Sequence, residues 1–128
     1  GEQYILAEMY SMLIKGNSDL QVETKTGLGG TKIVFDALIN NQIDMYPEYT
    51  GTGLLVILKT PESVVLGLKG NKDAVYNYVK SEFEKSYHLK WLKPIGFNNA
   101  YALMMRKTTS EKLNIHSISD LKNYLDKQ

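Results

Sequence analysis

Apolar residues recur at Ile5, Leu6, Met9, Tyr10, Leu13 and Ile14, the spacing of one helical face, so the chain is expected to open with a helix over residues 2–15. Gly16 and Asn17 supply its stop, since both tolerate the left-handed conformation that ends helices. The period then changes: Leu20, Val22 and Thr24 alternate with Gln21, Glu23 and Lys25, which predicts a strand with one wet face. After the loop TGLGG, Ile33, Val34, Ala37 and Leu38 mark a second helix, with Thr31 near its start. The short run 43–46 reads as a strand that Pro47 ends, and TGTGLLVILK opens another helix at a glycine turn.

Residues 60–71 mix turn formers with a few apolar residues and read as a surface excursion. Val75, Tyr78, Val79 and Phe83 form the clearest apolar stripe in the chain, predicting a helix over 73–87. Beyond Trp91, Leu92 and Pro94, the turn GFNN leads into YALMM, an apolar run that reads as a buried strand. Two short helices close the chain, over 110–113 and over ISDLKNYLD, where Ser117 and Asp120 have capping-box spacing. Alternating helices and strands predict an α/β fold with a mostly parallel sheet flanked by helices. Such a fold ordinarily starts with a strand, yet the first helix begins at residue 2, so the sheet's first strand is expected to be missing.

The 128 residues, 43% of them hydrophobic and 23% charged, suit one soluble folded unit. A net charge of +1 with scattered lysines gives no footprint for nucleic acid. The absence of cysteine excludes disulfides, thiolate metal sites and cysteine nucleophiles, and leaves the compartment open. No apolar run approaches the length of about 18 residues that a membrane span needs.

Catalytic and cofactor chemistry finds little support. TGLGGTK matches neither G-x-G-x-x-G nor G-x-x-x-x-G-K-[ST], and reads instead as a turn needing positive φ before a helix. His88 and His116 are the only histidines and fall at predicted helix ends, with no nucleophile or H-E-x-x-H motif nearby. Asp44 and Glu48 have no defensible acid/base geometry, and a capping or hinge role suits Glu48 better. No metal-ligand spacing is present, and no cofactor is expected.

Nine tyrosines remain, several off the helical stripes: Tyr46 and Tyr49 beside the PEYTG turn, and Tyr101 after GFNN. A loop tyrosine usually packs half-buried with its hydroxyl wet. In an open α/β sheet, however, loops after strand ends border the ligand crevice, and aromatic faces attract cations by their quadrupole. Several such rings would suit a quaternary ammonium, while Thr50, Gly51 and Thr52 offer amides and hydroxyls at a positive helix end to an anionic group.

Four stretches, EQYILAEMY (2–10), LGGTKIVFDALINNQIDMYPEYTGTGL (28–54), WLKPIGFNNAYALMMRK (91–107) and SISDL (117–121), resemble in order the substrate-binding proteins of osmoprotectant ABC transporters, the glycine betaine/choline/carnitine family. The resemblance implies a type II periplasmic-binding-protein fold of two lobes closing over a ligand, with no enzymatic step and delivery to a membrane permease. By position, Tyr49 of PEYTGT and Tyr101 of NNAYAL resemble two members of the family's aromatic cage, Thr52 a contact to the ligand's polar end, and Gln3 and Asn99 further contacts. Where the family commonly has NTYAL, Ala100 removes a hydroxyl.

Family members are about twice as long, as two domains require. The resemblance therefore implies that residues 1–107 are the first lobe and 108–128 the start of the crossover to a second lobe, which would supply the other cage tyrosines and a carboxylate-binding arginine. Arg106, the only arginine here, falls at the far end of the predicted hinge strand. Half a site with an unpaired edge is expected to self-associate or exchange strands. Extracytoplasmic residence follows from the resemblance, as a periplasmic protein, a cell-surface lipoprotein or a permease-fused domain. The rival readings are a small α/β enzyme lobe using Asp44 or Glu48 as a base, and a sensor domain for another polar metabolite.

Overall fold

A computed structural model describes residues 2–96 and 98–127. The chain divides into two compact units, Gly1–Leu92 and Lys93–Gln128, where its length predicted one.

The first unit starts with α1 (Glu2–Asn17), which runs through the predicted glycine stop, and continues with α2 (Thr31–Ile39). Between them Gly27 and Gly29 take φ of 76° and 115°, the positive values predicted for TGLGG. A Cβ on Gly29 would also approach Ile33 Cδ1 to 2.9 Å, so this turn needs glycine for conformation and for space.

The predicted helix at TGTGLLVILK forms in two geometries. A single turn, α3 (Thr50–Thr52), passes into a π-helical turn, π1 (Gly53–Ile57), closed by the Leu58 N–H donating to Gly53 O at 3.0 Å. The turn opens at a closely packed residue, Gly53. It is buried so tightly that an added Cβ would meet Trp91 Cζ2 at 2.9 Å and Val79 Cγ1 at 3.1 Å. A wider helical turn is a local adjustment of the kind often found at functional sites.

The predicted surface excursion contains a helix, α4 (Glu62–Leu68), which Pro61 precedes at the N-cap and Glu62 opens. α5 (Lys72–Tyr87) follows, capped by Asn71 Oδ1 accepting from the Ala74 N–H at 3.0 Å and ended by His88 at φ 56°. Its apolar stripe makes the core: Val79 and Phe83 are buried with Leu54 of π1, and Phe35, Val75, Tyr78, Tyr87 and Trp91 pack against them. Phe83 meets Trp91 edge to face at 5.2 Å between centroids and Phe35 at 6.0 Å, the geometry the ring quadrupoles favour.

In the second unit, α6 (Lys107–Leu113) and α7 (Ile118–Leu125) are the predicted closing helices. The Ser117 half of the capping box forms, with Ser117 Oγ accepting from the Asp120 N–H at 3.1 Å, while Asp120 Oδ2 accepts at 3.0 Å from the N–H of His116, one residue before the N-cap. Both histidines are exposed at helix ends, as expected.

The expected parallel sheet is not formed among the described residues: 20–25, 43–46 and 101–105 carry no ladder. The apolar run at 101–105, expected to be buried, is exposed, Met104 by 94%. Alternation marks which face a strand would bury, but a strand exists only when a neighbour supplies the donors and acceptors of its ladder.

Candidate functional site

Pro47, Glu48 and Tyr49 lead directly into α3, and four side chains, those of Glu48, Tyr49, Glu2 and Gln3, fix this approach. Tyr49 is the helix N-cap, with extended backbone at φ −91° and ψ 137°. Its N–H donates to Glu48 Oε1 at 2.8 Å. Its carbonyl accepts from the Gly53 N–H at 2.9 Å, the first bond of the turn. At the far end of the side chain, the phenol donates to Glu2 Oε1 in the first turn of α1. The neighbouring Gln3 extends Nε2 to Pro47 O at 3.3 Å. The start of α1 and the approach to α3 are thereby tied at two points, with the Tyr49 ring between them.

The electrostatics around this ring are acidic. Burial pushes the Glu48 carboxyl above the usual carboxylate range, against the opposing hydrogen bond from the Tyr49 N–H and the nearby Tyr46 and Thr31 hydroxyls. Glu48 Oε2 is buried, and among the described residues no donor reaches it in good hydrogen-bond geometry. Tyr46 is pushed upward too, first by burial and then by the Glu48 charge. Glu2 moves the other way: the bond from Tyr49 holds its carboxyl below the usual range.

Of the predicted contacts, the structure brings Tyr49, Thr52 and Gln3 to one place, with Thr52 closing the turn that Tyr49 caps. Asn99 and the exposed Tyr101 belong to the second unit, in a segment without regular structure. Glu2 was missed in the sequence reading. It stands 47 positions from Tyr49, and no local pattern signals such a pairing. Glu48 bonds the N–H of the N-cap residue it precedes rather than an N–H of the first turn, so α3 carries no side-chain cap and the capping role expected of Glu48 is not formed. An open hollow of about 410 Å³ lined by Lys15, Ser18, Asp19, Leu20 and Gln21 contains none of these residues. Among the described residues, no group of three or more His, Asp or Glu side chains could hold a metal ion, and no helix is long and apolar enough to cross a membrane.

Comparison with known proteins adds the remaining finding. The whole chain, residues 1–128, matches the family described as the substrate-binding domain of ABC-type glycine betaine transport systems. An ergothioneine transport permease/ergothioneine binding protein of Helicobacter pylori is 35% identical over 121 residues, covering 94% of this chain and 20% of that protein. The carnitine transport binding protein of Listeria monocytogenes is 30% identical over 127 residues, covering 94% of this chain and 38% of that protein. A glycine-betaine-binding protein of Pseudomonas aeruginosa is 35% identical over 127 residues, covering 99% of this chain and 38% of that protein. The chain thus spans between a fifth and two fifths of the length of these relatives.

Proposed function

This chain belongs to the family of substrate-binding domains of ABC-type glycine betaine transport systems, and from that membership we propose that it is the first lobe of a protein that captures trimethylammonium betaines and hands them to a permease. The family is one of transport binding domains, so the enzyme reading of Asp44 and Glu48 loses its ground. The names of the relatives narrow the substrate class, since glycine betaine, carnitine and ergothioneine each join a trimethylammonium group to a carboxylate.

The observation that carries the reading is the anchoring of Tyr49 at a helix start. Its ring is held at both ends, by Glu48 through the main chain and by Glu2 through the hydroxyl. A held ring offers its face to a cation without first losing rotamer freedom. Thr52 lies one turn on, where a hydroxyl suits the carboxylate end of the same ligand. In this proposal Tyr101, Asn99 and Gln3 complete the contacts of the first lobe. The sheet of a type II binding-protein fold forms in the full-length protein, when the segments 20–25, 43–46 and 101–105 find neighbours. The lobe runs over residues 1–107 with the crossover starting in 108–128, and the protein works outside the cytoplasm.

The test is calorimetric titration of the full-length protein with glycine betaine, carnitine, ergothioneine and 3,3-dimethylbutanoate, the neutral-headed tert-butyl analogue of betaine. One betaine is expected to bind and the analogue to bind at least several-fold more weakly. Tyr49→Ala is expected to weaken the betaine on the order of 10-fold, the scale of a desolvated cation-π contact. If no betaine binds, or the analogue binds equally well, the reading fails.

A further inference from the structure

Resting on that reading of Tyr49, we propose that Glu2 is a positioning residue that sets the selectivity of the ring for a cation over a neutral head of the same shape. Two observations meet at this residue. The Tyr49 phenol donates to Glu2 Oε1 across 47 positions of sequence, and the next residue, Gln3, clamps the same helix end onto Pro47 O at 3.3 Å. The carboxylate is therefore held at the ring rather than passing by it. A phenol that donates to an anion carries more electron density on its ring than one that donates to a neutral acceptor. That density deepens the negative face to which a cation binds. The charge also acts directly: an anion at the rim of the ring attracts a trimethylammonium group through space and leaves a tert-butyl group indifferent. The lowered carboxyl of Glu2 agrees with this, since the bond from Tyr49 favours the ionised form.

Glutamine separates charge from shape, because its amide oxygen can still accept the phenol. In the full-length protein, affinities for glycine betaine and for 3,3-dimethylbutanoate are measured by calorimetry for wild type, Glu2→Gln, Tyr49→Phe and the double variant. Glu2→Gln is expected to weaken glycine betaine by about 3- to 5-fold, at the scale of a partly exposed cation-π contact. The analogue should be unchanged, so the ratio of the two affinities falls by the same factor. In the Tyr49→Phe background, where the phenol is gone, the further effect of Glu2→Gln should shrink, as coupled neighbours require. An equal loss for both ligands makes Glu2 a structural residue and overturns the proposal, as does an unchanged ratio or full additivity with Tyr49→Phe. These outcomes require a wild type that prefers the cation; a wild type without that preference fails the parent reading first.

Discussion

Glu48 is half-buried, with one oxygen bonded by the Tyr49 N–H and the other reached by no donor in good geometry among the described residues, so burial makes ionising it costly and holds its proton to higher pH than in an unfolded chain. The sign follows from linkage. Where the folded state binds more protons than the unfolded one, stability falls as pH rises. Glu48 therefore stabilises most when protonated, and its contribution is lost as pH climbs from the ordinary carboxylate value of 4.5 through its raised folded value. Glu2 and Asp120, both lowered, slope the other way, with stability present above their unfolded values and lost as pH falls. They are common to wild type and a Glu48→Gln variant, so they cancel in the difference. Glutamine can keep the acceptor for Tyr49 and never ionises. The melting temperature of Glu48→Gln minus that of wild type should be small at acid pH and grow as pH rises above 4.5. A difference that is flat with pH would place the cost of Glu48 elsewhere than in its charge.

At the scale of elements, the helices whose apolar stripe is long were legible, and α5 is the clearest: of the stripe that predicted it, Val79 and Phe83 are buried in the core and Val75 and Tyr78 pack against it. α4 was not, because turn formers are mixed with its few apolar residues over 60–71 and the apolar run is too short to show a helical period. The period-two segment at 20–25 predicts a burial face but cannot say whether a neighbouring strand exists, and here none does among the described residues. The site was legible in the same degree. PEYTG announced an aromatic residue at a helix start, whereas its pairing with Glu2 is tertiary and leaves no mark in spacing. The crowding at Gly53 is tertiary too, legible only once the residue is seen against Trp91 and Val79. Gly53→Ala should therefore cost about 1–3 kcal/mol by overpacking despite alanine's better helix propensity. That corresponds to a lowering of the melting temperature by at least about 4 °C in a unit of this size. An unchanged or raised melting temperature would show that Trp91 yields freely, and the pairing of Gly53→Ala with Trp91→Leu would locate the strain.

On the scale of the whole molecule, the apolar surface left open is the dominant fact. Along α1, Ile5, Met9, Met12 and Leu13 share one helical stripe and are all more than half exposed. In the second unit Tyr101, Leu103 and Met104 are exposed in a segment that carries no ladder. A helix stripe of this kind is ordinarily buried against a neighbour, and unpaired extended backbone is a template for pairing with another chain. In the full-length protein, the proposed second lobe and completed sheet would cover both features. In the isolated 128-residue chain, a second copy offers such cover. Light scattering of the isolated chain should give a mass near 14.5 kDa when dilute and rising above it with concentration, while the full-length protein stays constant over the same range. Leu13→Glu, which puts a charge in the middle of the α1 stripe, should shift the rise to higher concentration if that helix forms the contact. Substituting Leu103 and Met104 by lysine should do so if the 101–105 segment forms it. A strict monomer at all concentrations would mean that these faces stay wet at tolerable cost, and self-association would be withdrawn while the binding proposal stands on its own titrations.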